Sequence, residues 1–279
     1  MPGLREAVAR GRIARHQIGS PDALMAWSHT RRFDTALSLA RGFAGKRILD
    51  YGCGDGTFLA LTMMNDAAPA SAVGAELLVH IVDECRQRFR REPRMRFVQI
   101  ASLDSPEHIT GYDAVFCMEV LEHVFDWEPE LARLSRVLAP GGTLVISVPV
   151  ETGVPVVIKQ IVRTIAGWRK IGYYPGTTPY TWRELVSAVF AGRTQHIERR
   201  VLDFGDGPCR DHKGFNWRVL LERLRKQFDV ARVVASPFSW LGPGLATQVW
   251  FICRVRETRL REPAGEDAAS ARCGEAGSQ

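Results

Sequence analysis

Two short runs in this chain gather side chains that can do chemistry. The first, Ile48-Leu-Asp-Tyr-Gly-Cys-Gly-Asp-Gly-Thr57, sets Asp50 just before three closely spaced glycines, Gly52, Gly54 and Gly56. Glycine permits positive φ and lets a ligand lie against bare backbone. Where such a run turns a strand into a helix, Asp50 and the free N–H groups of the helix start can hold something polar and partly charged. The second run, Glu119-Val-Leu-Glu122-His123, supplies two carboxylates and an imidazole. Histidine's ordinary pKa makes it a base near neutral pH. The same three side chains can instead ligate a hard divalent ion such as magnesium.

Both runs need strand ends to present them, and the periodicity around them supplies these. Ser20-Pro21-Asp22 reads as a helix start, and Phe33, Leu37 and Ala40 recur at helical spacing up to a stop at Gly45. Strands are predicted over 46–51, 71–76, 95–100, 112–118 and 143–148. Helices are predicted from the glycine turn to about residue 65 and over 77–91 and 128–138, with Pro140-Gly141-Gly142 as a turn. This alternation predicts βαβ units, a mostly parallel sheet, and a ligand at the carboxyl ends of its strands.

After Pro149 the rhythm changes. Residues 154–168 place Ile158, Ile161, Ile165 and Trp168 on one helical face, with Lys159, Arg163 and Lys170 on the other. An aromatic, turn-rich loop over 172–179 and a short helix over 182–190 follow. Residues 150–210 therefore read as a lid insertion between the core of 21–149 and the remainder of the sheet in 211–256. That remainder contains a helix over 215–227 and strands over 230–235 and 247–255. Residues 1–20, with Arg5, Arg10, Arg12 and Arg15, read as a basic tail or helix, and 257–279 as a disordered tail.

Composition excludes several classes. With 46% hydrophobic and 24% charged residues and no long apolar run, the chain reads as globular with no membrane span. The six cysteines form no CxxC pair, which predicts a reducing, cytoplasmic setting and no structural zinc. The net charge of +6 is largely arginine spread over solvated faces. No basic stripe is interleaved with aromatics, which weighs against a nucleic-acid partner.

The glycine run departs from the dinucleotide fingerprint, whose third glycine would fall at Thr57. Asp50 would also repel a pyrophosphate. A ligand bearing an ammonium and a sulfonium suits the turn better. At this point a family resemblance enters. Leu49-Asp-Tyr-Gly-Cys-Gly-Asp-Gly56 resembles the first motif of class I S-adenosylmethionine-dependent methyltransferases. Glu76, Tyr112–Val124 and Arg136–Gly142 match three further motifs in order, and the fourth-strand motif is most similar to ubiquinone-pathway O-methyltransferases.

The resemblance implies a Rossmann-like, seven-stranded α/β sheet with helices on both faces and S-adenosyl-L-methionine as cofactor. It implies that Asp50, Gly52, Cys53 and Gly54 cradle the methionine end, Glu76 takes the ribose and Leu77 packs on adenine. Ser102 or Asp104 would read the adenine edge, where the family often has an acid. Cys117, Met118 and Glu119 would line the methyl-donor side, and His123 would act as base, with Glu119 beside it. Glu119, Glu122 and His123 also resemble the metal-binding run of RNA 3′-terminal 2′-O-methyltransferases. Metal is the disfavoured alternative, because Glu-His-Val is widespread in metal-free relatives, and His196 and His212 are only unanchored candidates for a further ligand. In-line methyl transfer rests largely on alignment. A hydroxyl acceptor also needs a base.

For the acceptor, the lid aromatics Trp168, Tyr173, Tyr174, Tyr180 and Trp182 suit a small-molecule, glycan or lipid-linked hydroxyl. The basic amphipathic helix of 154–168 would allow a peripheral membrane contact. An RNA-directed methyltransferase and a non-catalytic cofactor-binding subunit are the competing readings.

Overall fold

The computed structural model describes residues 2–12, 18–19, 23–168, 180–193, 197–203, 207–237 and 239–256. The strands are β1 (Arg47–Tyr51), β2 (Ser71–Glu76), β3 (Met95–Gln99), β4 (Tyr112–Met118), β5 (Leu138–Pro149), β6 (Val201–Asp203), β7 (Pro208–Arg210), β8 (Phe228–Ser236) and β9 (Gln248–Val255). The helices are α1 (Pro2–Ala9), α2 (Ala23–Ala40), α3 (Thr57–Met63), α4 (Val79–Arg88), α5 (Trp127–Val137), α6 (Val154–Trp168), α7 (Trp182–Val189) and α8 (Trp217–Gln227).

Seven strands form one sheet in the order β3-β2-β1-β4-β5-β9-β8. β1 pairs in parallel with both β2 and β4, whereas β9 runs antiparallel between β5 and β8. The chain moves outward from β1 on one side and then restarts at β4 on the other. A crevice therefore opens at the carboxyl ends of β1 and β4, where open α/β sheets bind ligands.

Period-two alternation sorts the strands' side chains onto two faces. Leu49, Val115, Cys117, Leu144 and Ile146 pack with Leu131 and Leu134 of α5 and Leu220 and Leu224 of α8. Ile48, Phe116 and Trp250 pack on the opposite face with Phe33 of α2, Phe58 and Leu59 of α3 and Val82 of α4. Strands buried on both faces explain the near-continuous apolar runs in the sequence.

Two local expectations change. The expected Pro140-Gly141-Gly142 turn lies inside β5, which starts at Leu138 opposite Tyr112 and absorbs a register shift between Tyr112 and Ala114. The segment between β5 and α8 also carries the hairpin β6–β7. At three residues per strand it is too short for alternation to announce it.

The expectations at Ser20–Asp22, in the loop of Tyr173 and Tyr174, at His196 and over 257–279 lie outside the described residues. The same holds for the side chains of Arg163, Ile165 and Trp168. Among the described residues, no helix is long and apolar enough to cross a membrane.

Candidate active site

From the end of β1 the chain turns through Gly52 (φ 74°), Gly54 (φ 51°) and Gly56 (φ 75°) into α3. This left-handed region strains any residue with a side chain. A Cβ at Gly52 would also collide with the Val120 side chain, which follows β4. Glu76, ending β2, braces the turn. Its Oε2 accepts the Gly54 N–H at 2.9 Å and its Oε1 accepts the Leu77 N–H at 2.7 Å. Leu77 itself is 68% exposed, an apolar side chain left open beside that acid.

Asp50 is buried, and burial, then Glu76 and Asp55, push its carboxyl up to about 8. Each of these influences disfavours its negative charge, so the site is poised for a cationic ligand group. Cys53 is buried beneath the turn with its Sγ 3.7 Å from the Gly54 carbonyl oxygen. Bare backbone, an acid lacking a cation and a brace at Glu76 fit S-adenosylmethionine, with its ammonium, sulfonium and ribose hydroxyls.

Across the β1–β4 crevice, Glu119 adopts φ 56°, which is uncommon outside glycine and turns its side chain away from the strand's alternation. Its N–H donates to the Ser147 carbonyl at 3.0 Å. Its carboxylate accepts from Gln248 Nε2 at 2.7 Å and from Ser147 Oγ at 3.4 Å, and lies 3.7 Å from an Arg32 guanidinium nitrogen. Glu122 is wholly buried, and among the described residues neither carboxyl oxygen has a hydrogen-bond partner. Burial, then Glu119, raises its pKa well above the usual carboxylate range.

His123 Nδ1 lies 3.0 Å from the Arg210 carbonyl oxygen, and its ring meets that of His212 edge-on at 4.4 Å. His212 Nδ1 lies 3.8 Å from Glu122 Oε1. Ligand atoms of Glu122, His123 and His212 all fall within 4.8 Å of one another, a set that could hold a metal ion. Burial, then His123, lowers the His212 pKa, which keeps its ring neutral as a ligand must be.

A cleft of ≈ 360 Å³ joins the two halves: Asp50, Gly52, Cys53, Gly54, Met118, Glu119 and His123 all line it. The remaining expected residues lie elsewhere. Cys117 is wholly buried in the sheet core and lines no part of the cleft. Ser102 is exposed and spends its carbonyl on Ser105, while Asp104 is tied up by Arg133 and Arg136 at 3.2 and 2.6 Å.

Sequence reasoning missed His29, Arg32 and Ala36 of α2, Phe58 of α3, and the placement of His212. For α2 the signal was present: the stripe that produces Phe33 and Ala40 extends back to His29. Burial, then Arg32, lowers the His29 pKa to about 4. Arg199, which hydrogen-bonds to the Glu122 carbonyl, is drawn down to about 10 by burial and Arg210.

Comparison with known proteins shows the family and the fold. The family described as "Methyltransferase domain" matches residues 26–170, just over half of the chain. A tRNA U34 carboxymethyltransferase of Trichlorobacter lovleyi is 26% identical over 186 residues, covering 64% of this chain and 57% of the relative. The mitochondrial ubiquinone biosynthesis O-methyltransferase of Schizosaccharomyces pombe is 34% identical over 109 residues, or 38% of each chain.

Among solved structures, the PH0226 protein of Pyrococcus horikoshii overlays with a TM-score of 0.53 at 16% identity, over 89% of this chain and 98% of its own. A putative S-adenosylmethionine-dependent methyltransferase of Listeria monocytogenes gives 0.52 at 15% identity, over 82% and 99%. These two likenesses show the fold. The matched region spans little more than half the length of the tRNA-modifying relative. The chain belongs to the S-adenosylmethionine-dependent methyltransferase family.

Proposed function

We propose that this chain transfers a methyl group from S-adenosylmethionine to a hydroxyl oxygen of a small-molecule, glycan or lipid-linked acceptor, with His123 as the base. S-adenosylmethionine supplies an electrophilic methyl group. Asp50 would hold its ammonium, Glu76 its ribose hydroxyls and Leu77 its adenine face. Glu119, locked by Gln248 and Ser147, would orient the acceptor. The observation that carries the reading is the His123–Arg210 contact. A carbonyl oxygen only accepts, so Nδ1 donates, and in the neutral ring Nε2 is the nitrogen with a free lone pair; His123 lines the cofactor cleft. From there Nε2 would take the hydroxyl proton as oxygen attacks. The test is transfer of labelled methyl into fractionated host extract, with mass spectrometry of the product. An O-methylated product supports the reading, and a labelled base or amine contradicts it.

One observation favours a second reading, metal-assisted transfer. Oε1 of buried Glu122 lies 3.8 Å from His212 Nδ1, and His123 completes a carboxylate–bis-imidazole set. Such a set suits manganese or zinc better than magnesium. Here Nε2 would be a ligand, and the metal would acidify the acceptor hydroxyl. Relatives named for tRNA modification make an RNA acceptor the natural partner of this reading and reopen the nucleic-acid class that composition disfavours. Chelator treatment separates the two. Full turnover in metal-free protein supports His123 as base, whereas turnover that returns only with added manganese supports the metal.

A further inference from the structure

A second cavity, of ≈ 370 Å³, is bounded by the Val124–Glu128 segment that follows His123 and by the lid residues approaching it. Its wall combines Phe125, Trp127 and Phe215 with Arg193, Arg199 and Arg210. The Arg210 guanidinium lies over the Phe125 ring, 5.2 Å from its centroid. Its Nε is buried and donates to nothing, and among the described residues no carboxylate is bonded to the group. Arg199 lies over Phe215 at 5.2 Å and donates to the carbonyls of Asp211 and Glu122. Its charge is shared with the nearby Glu122 and Asp211 carboxylates, so Arg199 braces the wall and Arg210 is the guanidinium left for a ligand. Arg193 stands exposed at the same wall.

A partly desolvated guanidinium such as that of Arg210, with no bonded carboxylate among the described residues, calls for an anion, and its forked donors match phosphate or carboxylate oxygens. Flat aromatic platforms beside them can seat the carbon skeleton of the same molecule. We propose that this cavity is an anion subsite for the acceptor, which is a small phosphorylated molecule whose phosphate or diphosphate is held by Arg210 with Arg193. The inference rests on the methyl-transfer reading for the purpose of the bound molecule.

The position fits that purpose. The N–H of Arg210 donates to the His123 carbonyl at 3.1 Å, and its own carbonyl holds the His123 ring. One residue thus fixes the base and would fix the acceptor's charged end. Asp126, Glu128 and Glu222 also border the cavity. Glu128 is paired with Arg223 and Glu222 with Arg225, and the volume of ≈ 370 Å³ suits a compact phosphorylated molecule.

The test is calorimetric titration of inorganic pyrophosphate into the full chain preloaded with S-adenosylhomocysteine. Arg210→Gln, Arg210→Lys and the remote surface variant Arg96→Gln are compared with the parent. The expected result is binding to the parent, at least about tenfold weaker binding to Arg210→Gln, partial recovery in Arg210→Lys and no change in Arg96→Gln. Phe125→Ala, which removes the platform and keeps the charge, takes the place of Arg210→Gln if melting shows that variant unfolded; it too should weaken binding.

No binding to the parent, or equal binding to the parent and the folded variant, overturns the proposal. So does bulk tRNA that displaces pyrophosphate with the same Arg210 dependence, since the cavity would then be a nucleic-acid contact. S-adenosylhomocysteine affinity is read in the same experiments. If it persists while pyrophosphate fails to bind, only the subsite falls; if the parent binds no S-adenosylhomocysteine, the methyl-transfer reading falls first.

Discussion

His123 and Arg210, 87 residues apart in sequence, hold each other by two hydrogen bonds. His123 Nδ1 meets the Arg210 carbonyl at 3.0 Å, and the Arg210 N–H meets the His123 carbonyl at 3.1 Å. The first bond sets the tautomer and the second fixes the loop that bears the ring. Nitrogen NMR of the labelled, metal-free protein should therefore show the Nδ1–H tautomer in the neutral His123 ring. The opposite tautomer would remove the basis for assigning His123 as the base.

With Asp50 holding the cofactor's ammonium as proposed, cofactor affinity should depend on pH. Its carboxyl sits at about 8 in the fold against an ordinary 3.8, so between those values the folded chain keeps a proton that the unfolded chain has lost. The stability this confers is full below about 4 and is lost as pH rises through about 8. The melting temperature of the ligand-free protein should fall across that window, and Asp50→Asn should flatten this contribution. A cationic ligand favours the ionised acid, so binding at pH 7 should release a proton and tighten as pH rises toward 8. Calorimetry in buffers of different ionisation enthalpy measures that release.

Gly52→Ala should destabilise the protein by about 1–3 kcal/mol, because it adds left-handed strain to a steric clash. The obstructing group is the Val120 side chain. Val120→Ala in the same chain should recover part of the loss. Urea denaturation of the two single variants and the double variant checks this.

Lys213 ties α7 to the segment carrying His212. Its Nζ lies 2.7 Å from Glu184 Oε2 of α7 and 5.0 Å from the Tyr180 ring centre, and the Tyr180 hydroxyl accepts the Gly214 N–H at 3.1 Å. Lys213→Met should raise amide hydrogen exchange across α7 while leaving S-adenosylhomocysteine affinity unchanged. Unaltered exchange would show that the clamp does not hold α7.

Much of the core was legible because its signals are local. Strand alternation, the glycine turn and Glu76 at the end of β2 are set by near neighbours, and β2, β4 and α6 fall on the expected residues. What escaped depends on distant packing. His212 gains meaning only when α8 and β9 fold back on β5 and set it against His123. Arg32 matters only because α2 crosses the cleft to Glu119. Cys117 was assigned to the donor side by motif position, yet strand alternation turns it into the opposite core. Asp104, one of the two residues offered as an adenine contact, forms ion pairs with Arg133 and Arg136 that no local signal announces.

The central claim is methyl transfer with His123 as the base, and the most direct measurement compares the parent with His123→Ala. Both would be incubated with labelled S-adenosylmethionine and the extract fraction that yields product, with S-adenosylhomocysteine affinity measured in parallel. The account predicts cofactor affinity within about twofold and turnover lower by at least about 100-fold. Near-parental turnover in the variant would contradict it.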